Sequence, residues 1–439
     1  MVYEKLDSIA AKIGNTILIE QGEKKYVGIL MPRSQVGSDP NHIVIKLENG
    51  YNLGIRVAQD TVIKKGKSPR SIRPEVSLVE AGSDPNLPSV SVLSTGGTIA
   101  SRVDYRTGAV NPALSAQDLY DAVPELKEYA NVHAKILMSI LSENITPADW
   151  SQIAKRIATE IRSDVDGLVI AHGTDTMGYT AAALSFALHN LPIPIVLVGS
   201  QRSSDRPSSD AASNLIGATR LAGRADVAEV MVAMHGETDD SFLYAHRGTR
   251  VRKLHSSRRD AFQSINSYPL FRILDDRIEE ISEPLLRRDS TRSLQVKPKF
   301  ESKVALVKTY PGMDGLLIDS FVDNGYRGVV IEGTGLGHTP DSLQPSLKRA
   351  IDAGMVVAMT TQCINGRVDM NVYRSGVQLL DIGVVSCENT ISETALVKLM
   401  WLLANTKTTE DAKALMAVSL AGELDMRSEV AEYDTGMGV

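Results

Sequence analysis

Between Thr16 and Lys65 the chain runs through short apolar stretches, TILIE, YVGILM, HIVIKL, YNLGIRV and TVIKK, separated by QGEK, SQVGSDPN and ENG, after one short N-terminal helix. Runs of this length, rich in Val and Ile and punctuated by turn residues, predict a small antiparallel β-barrel. Asn49-Gly50 between two apolar runs is a tight-turn signal. The barrel unit occupies residues 1–72. The stretch that follows mixes Pro, Gly, Ser and charge without sustained periodicity, which predicts a linker over 73–88.

From Ser89 the pattern changes to apolar strands alternating with longer helical stretches, the arrangement of βα units around a parallel sheet. VSVLS precedes TGGTIA, DGLVIAHG precedes TDTMGYTAAALSFALHN, and IPIVLVGS precedes QRSSDRPSSDAASNLIGATRLA. The same grammar restarts at KVALVKTYPGM and continues through GVVIEGTGLGHTP, GMVVAMTTQC and a helical ISETALVKLMWLLANT. Two α/β domains are expected, 89–290 and 303–425, joined by the basic, Pro-containing LLRRDSTRSLQVKPKF, with the active site near their junction. RSEVAEYDTGMGV has no apolar periodicity and is expected to be a mobile tail. The fold class is therefore α/β with parallel sheets, two domains preceded by a small SH3-like β-barrel.

Composition narrows the functional classes. With 439 residues, 43% hydrophobic and 23% charged, the chain has material for several packed cores. A net charge of -6 gives no global basic field for phosphate binding. The two cysteines, Cys363 and Cys387, form no CxxC motif, and two buried, reduced thiols are expected. The N-terminus carries acids and no long apolar core, so neither a signal peptide nor a membrane span is expected, and the protein reads as cytoplasmic.

Small polar clusters fall at the carboxyl ends of the predicted strands, where open parallel sheets collect ligands. In LSTGGTIA, Thr95 follows a strand directly, and Gly96 and Gly97 let the backbone turn sharply and expose N–H groups. That turn suits an activated hydroxyl, a phosphate cradle, or a tight connection without chemistry. AHGTDTMGYTAA repeats the theme, and Thr174 or Thr176 there also fits a helix N-cap. A threonine nucleophile needs a proton acceptor within reach. Lys253 is one candidate, but RGTRVRKLHSSRRD holds many cations, and by composition it reads as a solvated loop or a phosphate-contacting surface. No GxSxG elbow or HExxH spacing occurs, and His172 and His235 read as strand-end hydrogen-bonding residues.

Taken together, STGGTIA and AHGTDTMGYTA resemble the paired signatures of the type I and II L-asparaginases, in the right order and at the right distance over residues 89–420. The resemblance implies an amidohydrolase with its site at the carboxyl edge of the first sheet, completed by the second domain of a partner subunit. It implies that Thr95 is the nucleophile, that Tyr105 in DYRTGAV is a lid tyrosine, and that Thr174, Asp175 and Lys253 form the supporting catalytic group. Ser142 and Glu143 in LSENIT would grip the substrate's α-carboxylate and α-amino groups. Two positions depart from the pattern: Glu143 stands where free asparaginases commonly carry Gln, and His338 where they carry Asn. No metal or organic cofactor is implied.

The added N-terminal barrel and TTQCINGRVDMNVY make the chain similar to the D subunits of archaeal glutamyl-tRNA(Gln) amidotransferases over its full length. That likeness implies a glutaminase whose ammonia goes to an E subunit, which uses ATP and Mg²⁺ to convert Glu-tRNA(Gln) to Gln-tRNA(Gln). The expected assembly is a D homodimer within a D2E2 heterotetramer, away from membranes. The alternatives are a free-standing cytoplasmic L-asparaginase and a catalytically silent scaffold.

Overall fold

The computed structural model describes residues 2–12, 14–22, 24–31, 41–46, 52–66, 84–96, 101–104, 109–112, 119–120, 123–161, 165–202 and 209–428. Asn49-Gly50, most of the 73–88 linker, Gly97, Tyr105 and residues 429–439 of the tail lie outside them.

Helix α1 (Val2–Ser8) precedes five strands that coincide with the five apolar runs: β1 (Thr16–Gln21), β2 (Lys24–Met31), β3 (His42–Lys46), β4 (Asn52–Arg56) and β5 (Val62–Lys65). They pair antiparallel in the order β4-β3-β2-β1-β5. Alternate residues point inward, so Ile17, Ile19, Leu30, Ile43, Ile45, Ile55 and Ile63 make one small core. The sheet curls, since the Gln21 amide reaches the Arg56 carbonyl at 3.2 Å. Lys5 of α1 donates to the carbonyls of Ala58, Gln59 and Thr61, pinning the helix over the turn that leads into β5.

The first α/β sheet is built on β6 (Ser89–Ser94), β7 (Asn131–Ile136), β8 (Gly167–Ala171), β9 (Ile195–Val198) and β10 (Val230–His235), all parallel. It is extended antiparallel by β11 (Leu243–Arg247). The short ribbon β12 (Val251–Lys253) and β13 (Phe262–Ser264) stands apart from the sheet, which resumes with β14 (Phe271–Ile273) and β15 (Ile278–Glu280). The order β7-β6-β8-β9-β10-β11-β14-β15 reverses direction between β6 and β8. Connections leave that point toward opposite sides, which opens a crevice at the carboxyl ends of these two strands. Every residue of β8 is buried, as its unbroken GLVIA requires of a central parallel strand.

Helices cover both faces. α2 (Pro147–Ile161) and α3 (Met177–Ala187) pack on the face of Leu168, Ile170 and Leu197. α4 (Ala211–Arg224) packs on the face of Val169, Val196 and Met231, together with Leu119, Val123 and Leu126. The connections β6–β7, β7–β8 and β8–β9 share one hand on this arrangement. The β9–α4–β10 connection runs in the same direction across the sheet as β8–α3–β9 but over the other face, so its hand is opposite. As parallel crossovers are right-handed in about 98% of cases, this one is the left-handed exception.

The second sheet holds β16 (Val304–Lys308), β17 (Gly328–Gly333), β18 (Val356–Thr361) and β19 (Val385–Ser386), all parallel and in sequential order. With no reversal, α5 (Leu316–Asp323), α6 (Gln344–Asp352) and α7 (Arg374–Asp381) share one face. The other face is left to α8 (Ser392–Asn405), followed by α9 (Thr409–Met416). This face seals the two halves together: Trp150, Ala183 and Phe186 of the first pack with Val330, Ala395 and Trp401 of the second. Each large side chain buried there contributes roughly 1.5–3 kcal/mol.

Two expectations need correction. Cys387 is buried, which pushes its thiol up to about 12, but Cys363 is exposed because it lies in the turn after β18 rather than on a strand. RGTRVRKLHSSRRD is a solvated loop only in part: residues 254–258 are exposed, but the first half carries β12 and a fully buried Arg250. Among the described residues no helix is long and apolar enough to cross a membrane.

Candidate active site

The paired strands β6 and β8 set the site. Ser94 lies opposite Ala171, so Thr95 and His172 leave the sheet side by side at the point where strand order reverses. Thr95 is fully buried, and both its backbone N–H and its hydroxyl donate to the Ala171 carbonyl at 3.0 Å. The next residue must be glycine: Gly96 has φ +123°, and a Cβ there would lie 2.3 Å from the Ile140 carbonyl.

After β8 the chain turns through Gly173, Thr174 and Asp175 into α3. Lys253, at the end of β12, reaches back across this turn. Its ammonium donates to Thr174 Oγ1 at 2.9 Å and Asp175 Oδ1 at 2.7 Å. Lys253 is largely enclosed at 14% exposure, while the Asp175 carboxylate is 67% exposed. The lysine therefore bridges a hydroxyl and a carboxylate at the lip of the crevice. Among the cations of its segment, it is the one hydrogen-bonded to this pair.

The turn itself is held from below. Burial pushes His172 down to about 4, so its imidazole is neutral. Its Nδ1 lies 2.7 Å from the Gly173 carbonyl, which only accepts, so Nδ1 carries the proton. Nε2 then accepts the Thr180 hydroxyl at 2.9 Å, and the Thr180 oxygen accepts the Trp150 indole N–H at 3.1 Å. The strand-end hydrogen-bonding role expected for His172 is what the structure shows. Trp150 and Thr180 escaped sequence reasoning, since a tryptophan on a helix face reads as core.

Ser142 is buried in the short 3-10 turn Ser142–Asn144 and touches the turn from the side. A Cβ on Gly173 would stand 2.8 Å from its side chain, and its carbonyl accepts the Thr176 hydroxyl at 2.7 Å. Thr176 occupies the N-cap position of α3, yet its side chain makes no cap bond, because that hydroxyl is committed to Ser142. Glu143 is exposed beside it. His235 sits at the end of β10 between Asn214 Oδ1 at 2.6 Å and Asp240 Oδ1 at 3.0 Å.

The structure thus gathers Lys253, Thr174 and Asp175 by direct bonds, and places Thr95 on the adjoining strand and Ser142 against the same turn. Tyr105 falls outside the described residues. His338 lies in the second half, in the tight loop after β17, with its ring 5.4 Å from that of Tyr373. Among the described residues no three His, Cys, Asp or Glu side chains gather as a metal site.

This arrangement coincides with three family models: "Asparaginase, N-terminal" over residues 89–286, "Glutaminase/Asparaginase C-terminal domain" over 303–416, and "GatD N-terminal domain" over 11–64. The chain is 54% identical to the glutamyl-tRNA(Gln) amidotransferase D subunit of Pyrococcus furiosus over 93% of each chain. It is 46% identical to the D subunit of the same amidotransferase from Methanothermobacter thermautotrophicus, covering 98% of this chain and 97% of that one. Among solved structures it is similar to the thermostable L-asparaginase from Thermococcus kodakarensis, with TM-score 0.69 and 32% identity, over 77% of this chain and all of that one. The chain belongs to the asparaginase family and, within it, to the branch formed by the D subunits of the glutamyl-tRNA(Gln) amidotransferases.

Proposed function

We propose that the chain is the glutaminase subunit of a tRNA-dependent amidotransferase, supplying ammonia for the conversion of Glu-tRNA(Gln) to Gln-tRNA(Gln). The observation that carries this reading is the Lys253–Thr174–Asp175 group at the end of β8, the strand paired with β6, in a chain so closely related to the amidotransferase D subunits.

The Thr95 oxygen attacks the side-chain amide carbon of glutamine. Its hydroxyl donates to the Ala171 carbonyl at rest and must leave that bond to attack. Lys253 passes a proton to the Asp175 carboxylate it is bonded to, and the amine so formed accepts the Thr95 hydroxyl proton and returns it to the amide nitrogen, which leaves as ammonia. Water then cleaves the Thr95 ester to give glutamate. Ser142 and Glu143 hold the substrate's α-carboxylate and α-amino groups, and Tyr105 closes over it. The chain itself needs no cofactor; ATP and Mg²⁺ serve the partner E subunit, with two D and two E chains in a cytoplasmic heterotetramer.

The test is ammonia release from glutamine and from asparagine by the purified chain, with and without an E subunit and Glu-tRNA(Gln). Glutamine hydrolysis that rises with partner and tRNA is the expected result. Fast asparagine hydrolysis indifferent to both would overturn it in favour of a free-standing asparaginase.

A further inference from the structure

Lys253 has to be held within about 0.5 Å of its productive geometry, yet the strand that carries it is only three residues long. Val251, Arg252 and Lys253 pair with Ser264, Gln263 and Phe262 in a two-stranded ribbon, an element that is marginal alone. Its root is anchored elsewhere. Arg250 is 1% exposed, and its carbonyl accepts Ile265 N–H at 2.8 Å, which fixes the ribbon's first rung.

The Arg250 guanidinium points away from the site, into the second half of the molecule. Nε donates to the Gly422 carbonyl at 2.8 Å, Nη1 to the Asn389 carbonyl at 3.4 Å, and Nη2 to the Asp425 carboxylate. Asn389 closes the ring, since its Oδ1 accepts Asp425 N–H at 2.9 Å. On either side, Thr249 Oγ1 donates to the Ala421 carbonyl, Thr394 Oγ1 donates to the Thr249 carbonyl, and Arg252 pairs with Glu393. The receiving segment is itself immobilised from within. Glu423 accepts Leu420 and Ala421 N–H and pairs with Lys398 at 2.6 Å, both side chains being fully buried.

We propose that Arg250 is a positioning residue for Lys253, and that the C-terminal segment 420–425 is the template that holds it. The inference rests on the reading of Lys253 as a catalytic residue. A planar fork with donors in three directions can satisfy three acceptors on separate stretches of chain at once; a lysine's single ammonium cannot. The second domain thereby sets the geometry of the first domain's site without touching substrate.

The test compares Arg250→Lys, Asp425→Asn and Lys253→Ala with Arg220→Lys in the full chain with its partner subunit, reading kcat and KM for glutamine-dependent ammonia release alongside Tm. Arg220 is a fitting control: it is 7% exposed and bonds the Leu274 carbonyl near the end of α4, which packs against the start of β8, away from the site. Arg250→Lys is expected to lower kcat about tenfold or more with KM within about twofold, and Asp425→Asn to do the same more weakly. Arg220→Lys is expected to lose comparable Tm with kcat unchanged. Folded Arg250→Lys and Asp425→Asn proteins at wild-type kcat, beside an inactive Lys253→Ala, would overturn the proposal alone. An active Lys253→Ala would remove the site reading and the proposal with it. Should Arg250→Lys fail to fold, Asp425→Asn decides, since it keeps the arginine.

Discussion

The two α/β halves each begin with a strand followed directly by a buried threonine, and the two threonines are held alike. Thr95 donates its N–H and hydroxyl to the Ala171 carbonyl of the neighbouring strand, both at 3.0 Å; Thr309 donates its N–H and hydroxyl to the Glu332 carbonyl at 3.1 and 3.0 Å. What differs is the surrounding topology. Thr95 stands where strand order reverses, beside the strand whose end carries Thr174 and Asp175 with Lys253 bonded to both. Thr309 stands in a sheet of sequential order, where the Gln362 amide closes over it, donating to its carbonyl and its hydroxyl oxygen. A hydroxyl at a strand end is thus potential chemistry, and strand order is what distinguishes the two.

The sharpest way to break this comparison is to remove each hydroxyl in turn. Thr95→Val is expected to lower ammonia release by at least ~10³-fold with the fold intact, whereas Thr309→Val leaves the rate within about twofold. Equal losses would mean that position in the topology does not select the nucleophile. Next in size, Gly96→Ala is expected to cost about 2–4 kcal/mol in urea unfolding, because φ and the Ile140 carbonyl both oppose a side chain.

The turn beneath the site gives a pH signature of its own. His172 has a folded value of about 4 against an ordinary 6.5, and His246, buried in β11, about 3. The unfolded chain therefore binds protons that the folded chain refuses, and stability falls as pH drops from about 6.5. The His172 contribution is lost by about pH 4, and amounts to at most roughly 3 kcal/mol. Tm followed between pH 7 and 4 should fall, and His172→Gln should flatten that slope; an unchanged slope would mean the imidazole is not buried neutral. The smallest expected effect is the stability cost of Thr309→Val, about 1 kcal/mol for one buried hydrogen bond, read from the urea midpoint.

Much of this was legible in the chain because local patterns specified it. The strands carrying TILIE, VSVLS and GLVIA fall where their apolar runs place them, and Thr95, Thr174 and Asp175 sit in motifs whose glycines and small residues are needed by the turns themselves. Lys253 was not separable from its neighbours by spacing, since its meaning comes from a partner pair nearly eighty residues earlier. Arg250 was less visible still. Its acceptors are carbonyls and one carboxylate 139 to 175 residues downstream, and backbone carbonyls carry no sequence signature. The basic linker between the halves is similar: Arg288 donates to the carbonyls of Ala222 and Ala225, so its charge reads as surface while its function is to fasten the end of α4.

The left-handed connection through α4 carries a consequence for how the molecule is made. A strand–helix–strand unit folding by itself settles with the opposite hand, because a right-twisted strand returns a helix to the sheet that way. Residues 195–235 therefore cannot be an early independent nucleus. Helix α4 spans β9, β8, β10 and β6, and it finds its face only after those strands have aligned. In refolding followed by pulsed hydrogen exchange, the amides of α4 should gain protection after those of α3, and the last part of the sheet to close is the flank that lies beside the crevice.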